Sequence, residues 1–197
     1  MADVLVLYTS RNGMTEALAR AVCDGVDSVS GMAARLRTVP PVSAVCESLQ
    51  DRVPESGPPY AVPDDLAECA GLVMGSPTNF GNMSASLKHF LDSTIEQWLK
   101  GSAVGKPAGV FASTSSLHGG QESTLLSMML PLLHHGMIFV GLPYTEEELS
   151  TTRSGGTPYG ATHVSWNQKP DALSEEEKAL AIALGKRVAE IAKKLAD

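Results

Sequence analysis

No run of about 18 uninterrupted apolar residues occurs in the chain of 197, which removes a membrane-spanning helix from consideration. No basic leader precedes the first apolar stretch, because strand-like residues begin at Val4, and the expectation is a cytoplasmic protein. Basic residues are in deficit: Lys and Arg total 15 against 22 Asp and Glu, a formal net charge of −7. The lysines are dispersed apart from Lys193–Lys194. Nonspecific binding to nucleic acid or to an anionic membrane needs a basic surface, so neither partner is expected. Cysteine is scarce as well. Cys23, Cys46 and Cys69 are odd in number, far apart and without metal-ligand spacing, so no metal site is expected, only reduced and mostly buried thiols. There is no internal repeat and no composition break that would divide the chain.

What is present is an ordinary globular composition, 43% hydrophobic. The length suits one domain over residues 1–197. Hydrophobic periodicity alternates between strand and helix. Val4–Tyr8 is a continuous apolar run, as a strand covered on both faces requires. A helix is predicted over Thr15–Val29, a near-edge strand over Ala34–Val39 and a third strand over Ala70–Gly75. Met83–Trp98 reads as one helix with Leu87, Phe90, Leu91 and Trp98 aligned. Pro107–Ser113 is the fourth strand. Gln121–His135 is a helix bent at Pro131 and ended by Gly136, and Met137–Leu142 is the fifth strand. Ser174 and Glu177 form a capping box for a last helix whose buried stripe is Leu180, Leu184, Val188, Ile191 and Leu195. Five strands separated by helices predict a parallel, doubly wound α/β sheet. Residues 40–63, rich in proline, and 143–173, rich in Gly, Thr and Ser, read as inserted excursions.

The first strand leaves through a short polar loop of Ser10, Asn12, Gly13 and Thr15 and enters a helix. Ligands of open parallel sheets bind beyond the carboxyl ends of the strands, and a helix N-terminus favours an anion there. Gly13 lets the backbone curl, Ser10 and Thr15 add hydroxyls, and Arg11 is the loop's only cation, so a phosphate here would be held mainly by neutral donors. Neither G-x-G-x-x-G nor G-x-x-x-x-G-K-[ST] is present. Ser10-x-x-Gly13-x-Thr15 resembles instead the phosphate loop of flavodoxins, although a hydroxyl-rich turn of this kind also serves simply as an N-cap.

Two further strand ends, "GSPTNFGNMSASLKHFLD" (Gly75–Asp92) and "FASTSSLHGGQESTLLS" (Phe111–Ser127), put small hydroxyl residues and glycines at the same lip. With "HHGM" (His134–Met137) and "GGTPYGAT" (Gly155–Thr162), they resemble over nearly the whole chain the WrbA family of FMN-dependent NAD(P)H:quinone oxidoreductases. That resemblance implies a flavodoxin-like fold with sheet order 2-1-3-4-5 and inserted loops. It also implies FMN as cofactor, NADH or NADPH as donor, a quinone as acceptor reduced by two electrons in ping-pong fashion, and a homotetramer.

Carried over position by position, it places the FMN phosphate on Ser10, Arg11, Asn12, Gly13, Met14 and Thr15. The ring edge falls on Thr78, Asn79 and Phe80, with Pro77 and Gly81 shaping the turn. Ser113, Thr114, Ser115, Ser116, Leu117 and His118 form the other wall. His134 matches a family histidine that approaches the flavin of a neighbouring subunit, which makes it the expected catalytic residue. His135 reads as packing. Asn12 and Trp98 are expected at the substrate, and Tyr144 and Tyr159 in loops near the site or at an interface. Asn79 stands where arginine is common in the family, and "TIEQ" (Thr94–Gln97) where many relatives carry a small Gly-rich pair. A flavodoxin-type electron carrier is the alternative. The repressor-binding role behind the family's older name, tryptophan-repressor-binding protein, finds no basic surface or helix-turn-helix here.

Overall fold

The structure, a computed structural model, describes residues 2–42, 57–166 and 173–196. The first strand, β1 (Ala2–Tyr8), is buried on both faces: Val4, Val6 and Tyr8 enter one hydrophobic cluster, Leu5 and Leu7 the other. That alternation follows from the two-residue period of a strand and requires helices on each side. α1 (Met14–Asp27) and the C-terminal α7 (Glu175–Ala196) cover the first face, and their backbones nearly touch. A Cβ on Gly25 would lie 1.9 Å from the Ile182 carbonyl oxygen, and one on Gly185 2.1 Å from that of Val22. Only glycine permits this crossing. The second face is covered by α3 (Ala85–Asp92) and α5 (Gln121–His134), through Leu87, Phe90 and Leu91 from one and Leu125, Met128 and Leu132 from the other.

β2 (Met32–Thr38) pairs with β1, β1 with β3 (Gly71–Pro77), and β3 with β4 (Pro107–Thr114), all parallel. The order is β2-β1-β3-β4-β5, the expected flavodoxin-like arrangement. The fifth position differs from the expected strand Met137–Leu142. β5 is only Ile138–Phe139, paired to Pro107 and Ala108, whereas β6 (Ala161–Val164) pairs with Phe111–Thr114. Two segments thus share one strand position, and the chain between them, with α6 (Glu148–Thr151), loops out. The crossover is tight: a Cβ on Gly160 would stand 2.0 Å from the Val110 carbonyl oxygen. The excursion expected at 143–173 therefore returns to the sheet.

The helix expected over Met83–Trp98 is broken. Ser93 and Thr94 turn their hydroxyls onto the carbonyls of Phe90 (2.6 Å) and Leu91 (2.7 Å), so side chains take acceptors near the helix end. α4 (Ile95–Leu99) starts afresh and leaves Trp98 half exposed, out of line with Leu87 and Phe90. Leu195, expected in the buried stripe of α7, is exposed, and Ala181, Gly185, Ala189 and Ala192 complete that face instead. The first helix starts at Met14 and ends at Asp27, and α5 runs through Pro131 before Gly136, at φ 76°, ends it.

Of the excursion expected at 40–63, residues 43–56 lie outside the described residues, and α2 (Pro63–Glu68) follows it. Its Asp65 and Glu68, with Asp3 of β1, receive Arg35 of β2. Cys23 and Cys69 are free, and burial pushes their thiols up to about 12 and about 11, consistent with inert cysteines. Cys46 lies outside the described residues. Among the described residues no helix is long and apolar enough to cross a membrane, and no group of His, Cys, Asp or Glu could hold a metal ion.

Candidate flavin site

Three loops leave the carboxyl ends of β1, β3 and β4 and meet. The first turns at Gly13, φ 83°, and delivers the N-terminus of α1. Its first-turn N–H groups have no helical partners, and among the described residues no hydrogen bond uses the N–H of Arg11, Asn12 or Gly13. The second is pinned at both ends by Ser76, which is fully buried. The Ser76 hydroxyl accepts from the Ser84 amide (2.9 Å) and donates to the Pro77 carbonyl (2.8 Å). At its tip the Asn79–Asn82 bridge forces Phe80 to φ 54° and Gly81 to φ 76°, and the Phe80 ring stands wholly in solvent. A left-handed conformation is strained for a bulky residue and is held only where its surroundings fix it. In the third loop the Thr114 hydroxyl donates to the Ser116 carbonyl (2.9 Å) and Gln121 Nε2 to that of Leu117 (2.9 Å).

Cross-ties lock the loops together. The Thr78 amide donates to the Ser113 carbonyl (2.9 Å), the Thr124 hydroxyl of α5 to that of Thr78 (3.2 Å), and the Thr15 and Ser113 hydroxyls meet at 2.8 Å in a buried pair. They enclose a cavity of about 180 Å³. Ser10, Arg11, Asn12, Met14 and Thr15 line it from the first loop, Pro77, Thr78 and Asn79 from the second, and Ser113, Thr114 and Ser115 from the third. Arg11 is the only charged group among them. The Ser10 hydroxyl oxygen is buried with no partner. A polar atom buried without a hydrogen bond costs free energy unless a ligand completes it.

The structure thus brings most of the predicted flavin residues into one cavity. Gly13 shapes it, and Phe80, Gly81 and Ser116 sit on the adjoining turns. Leu117 and His118 line a neighbouring space of about 610 Å³ with Gly120 and Gln121. Thr15 is partly diverted: its hydroxyl is already engaged by Ser113. Sequence reasoning missed Ser165, which follows β6 and lines the same cavity. Only the split fifth strand carries it there, although "GGTPYGAT" had marked the segment. The Thr162 hydroxyl links that segment to the third loop, donating to Gln121 Oε1 (2.7 Å) and accepting from the Gly156 amide (2.7 Å).

His134 and Trp98 are elsewhere. α5 begins at the cradle and, at about 1.5 Å per residue over its 14 residues, spans roughly 21 Å before reaching His134. There the Trp98 indole N–H donates to the His134 carbonyl (2.8 Å), and both residues line a separate cavity of about 330 Å³ with Leu91, Ile95, Pro131 and His135. Within one chain His134 therefore does not face the cradle. His135 is buried as expected for packing, and burial first, then its neighbour His134, lowers its pKa. Tyr144 and Tyr159 are exposed.

Known proteins bear on this geometry. Residues 2–145 match the family described as NADPH-dependent FMN reductase. Curated relatives named NAD(P)H dehydrogenase (quinone) include one from Trichlorobacter lovleyi, 42% identical with 99% of each chain covered. Another, from Solidesulfovibrio magneticus, is 40% identical with 98% of each covered. Among solved structures, a WrbA-like flavodoxin protein from Agrobacterium tumefaciens superposes with a TM-score of 0.70 at 23% identity, over 98% of this chain and 99% of that one.

Proposed function

The chain belongs to the NADPH-dependent FMN reductase family, and on that premise we propose that it is an FMN-dependent NAD(P)H:quinone oxidoreductase of the WrbA type. The observation that carries the reading is the cradle itself, where three loop ends converge on hydroxyls, free amide donors and the unpartnered Ser10 oxygen. This donor set fits a phosphorylated flavin. Ser10 and the amides of Arg11–Thr15 would hold the phosphate at the positive end of α1, with Arg11 as the one cation. Thr78, Asn79 and Phe80 would border the ring, and Ser113–His118 would form the opposite wall. Bound there, FMN would supply the two-electron redox chemistry between NAD(P)H and a quinone.

The chain's own contribution is to bind, orient and preorganise. The Ser76, Thr78–Thr124 and Thr15–Ser113 bonds hold the donors in place before any ligand arrives. In the proposed assembly, His134 and Trp98 of one copy meet the cradle of another, as a homotetramer provides, and His134 donates a hydrogen bond to the oxygen of the bound quinone. Two observations support association: the separation of His134 from its own cradle, and the outward row Leu126, Leu130 and Leu133 on α5, flanked by exposed Ile95 and Leu99. Asn12 completes the substrate side of the proposed site, and a cytoplasmic location belongs to the same reading.

The direct test is the visible spectrum of purified protein with added FMN, before and after anaerobic NADH. Bleaching within the mixing time is expected. An inert spectrum would leave only an electron carrier. Ser10→Ala is expected to weaken FMN binding by about 10-fold, the worth of one hydrogen bond to a charged group, read by recovery of FMN fluorescence. His134→Ala is expected to leave reduction by NADH within about twofold and to slow reoxidation by benzoquinone about 100-fold, as loss of a transition-state donor does. Unchanged reoxidation would remove His134 from the site.

A further inference from the structure

The cavity that holds Trp98 and His134 is built on a buried polar pair that the proposed chemistry does not use. His135, the residue after α5, is more than nine-tenths buried, and its Nε2 lies 3.1 Å from the hydroxyl oxygen of Thr94, which is wholly buried. The Thr94 hydroxyl has one proton, and it is given to the Leu91 carbonyl at 2.7 Å. Thr94 is therefore the acceptor and His135 Nε2–H the donor. Nδ1 is left without a proton and is buried without a hydrogen-bond partner.

Thr94 also starts α4, because its carbonyl accepts the first bond of that helix from the Trp98 amide at 3.0 Å. The Trp98 indole in turn donates to the His134 carbonyl. A closed circuit results: His135 to Thr94 by side chains, Thr94 to Trp98 through one helical turn, Trp98 to His134 through the indole, and His134 to His135 through the peptide.

We propose that His135 and Thr94 are positioning residues that fix Trp98 against His134 and so set the wall of the quinone site. The proposal rests on the reading that Trp98 and His134 meet the substrate. It gives the break after α3 a purpose. An unbroken helix would present residue 94 as one more helical position, with no fresh start for α4 and no set place for the indole. Neither positioning residue lines the flavin cradle. Their effect passes through Trp98.

The test uses full-length protein carrying Trp166→Phe, so that Trp98 is the sole tryptophan. Thr94→Val keeps the side-chain shape without the hydroxyl, Thr94→Ser keeps the hydroxyl, and His135→Gln keeps an N–H near the Nε2 position. In Thr94→Val the Trp98 emission is expected to shift to the red and its acrylamide quenching to rise about twofold, as a freed indole meets water. The KM for benzoquinone is expected to rise about 10-fold with kcat for reduction by NADH unchanged, the pattern of lost substrate positioning. FMN affinity stays at the wild-type value, and Thr94→Ser and His135→Gln restore both readouts. Wild-type quenching and wild-type KM in Thr94→Val overturn the proposal. Altered quenching with an unmoved quinone KM overturns instead the placement of the quinone beside Trp98, which separates the two failures.

Discussion

Glu177→Ala is expected to lower the unfolding free energy by about 3–5 kcal/mol, the usual result of removing one partner from a buried charged network. The Glu177 carboxylate is 1% exposed and receives four donors. One oxygen takes the amides of Gly155 (2.9 Å) and Val164 (3.0 Å), and the other takes His163 Nδ1 (2.7 Å) and the Ser174 amide (3.0 Å). These donors belong to the inserted loop, to β6 and to the residue that precedes α7. Removing the carboxylate strands them together. In differential scanning calorimetry the midpoint should fall by about 10 °C for a chain of this size. A fall of less than about 2 °C would mean that water replaces the carboxylate at no cost.

The same group fixes the acid limb of stability. Burial alone would raise the Glu177 pKa, but the bonds from His163, Ser174 and Val164 outweigh it and bring it from 4.5 down to about 2. The unfolded chain binds this proton near pH 4.5 and the folded chain only near 2. The stabilisation is therefore complete above pH 4.5 and lost as pH falls from there toward 2. Glu177→Gln should flatten that limb in urea titrations at successive pH values. His135 adds an earlier step of the same sign. Its folded pKa lies below 6.5, so acidification through 6.5 protonates the unfolded chain first and erodes stability.

Gly13→Val is expected to weaken FMN binding by more than about 100-fold while leaving the fold intact. At φ 83° the residue caps α1 in a conformation closed to a β-branched side chain, whose cost is about 1–3 kcal/mol. The loop would relax by rotating the very amides that the proposed phosphate site uses. Fluorescence titration with FMN and with riboflavin separates the contributions: the variant should lose the preference for the phosphorylated form and bind riboflavin as the parent does. A variant that still prefers FMN would show that the phosphate is not held by this turn.

Much of this is readable in the amino-acid sequence alone. β1 was legible because burial on both faces needs an unbroken apolar run, and α7 because Ser174 and Glu177 are local, three residues apart. The cradle was legible because Ser10 and Gly13 lead from a strand into a helix and two further strand ends carry the same small hydroxyl residues, which together favour a ligand over a simple helix cap. The break at Thr94 was not, since a hydroxyl bonded to a preceding helical carbonyl does not by itself end a helix, and the other partner of this one, His135, lies 41 residues away. Nor was the split fifth strand, because Ile138–Phe139 and Ala161–Val164 are each too short to propagate a pattern and are joined only by β4.

The sequence by itself determined the alternating layers, the parallel sheet and the chemistry of the three loop ends, all of which depend on periodicity and on neighbours within a few residues. Tertiary structure alone decided which atoms remain unsatisfied, that Ser165 joins the cradle, and that His134 stands at the far end of α5 from it. Those outcomes depend on distances between segments remote in the chain, and on hydrogen bonds that one partner's sequence cannot reveal without the other's position.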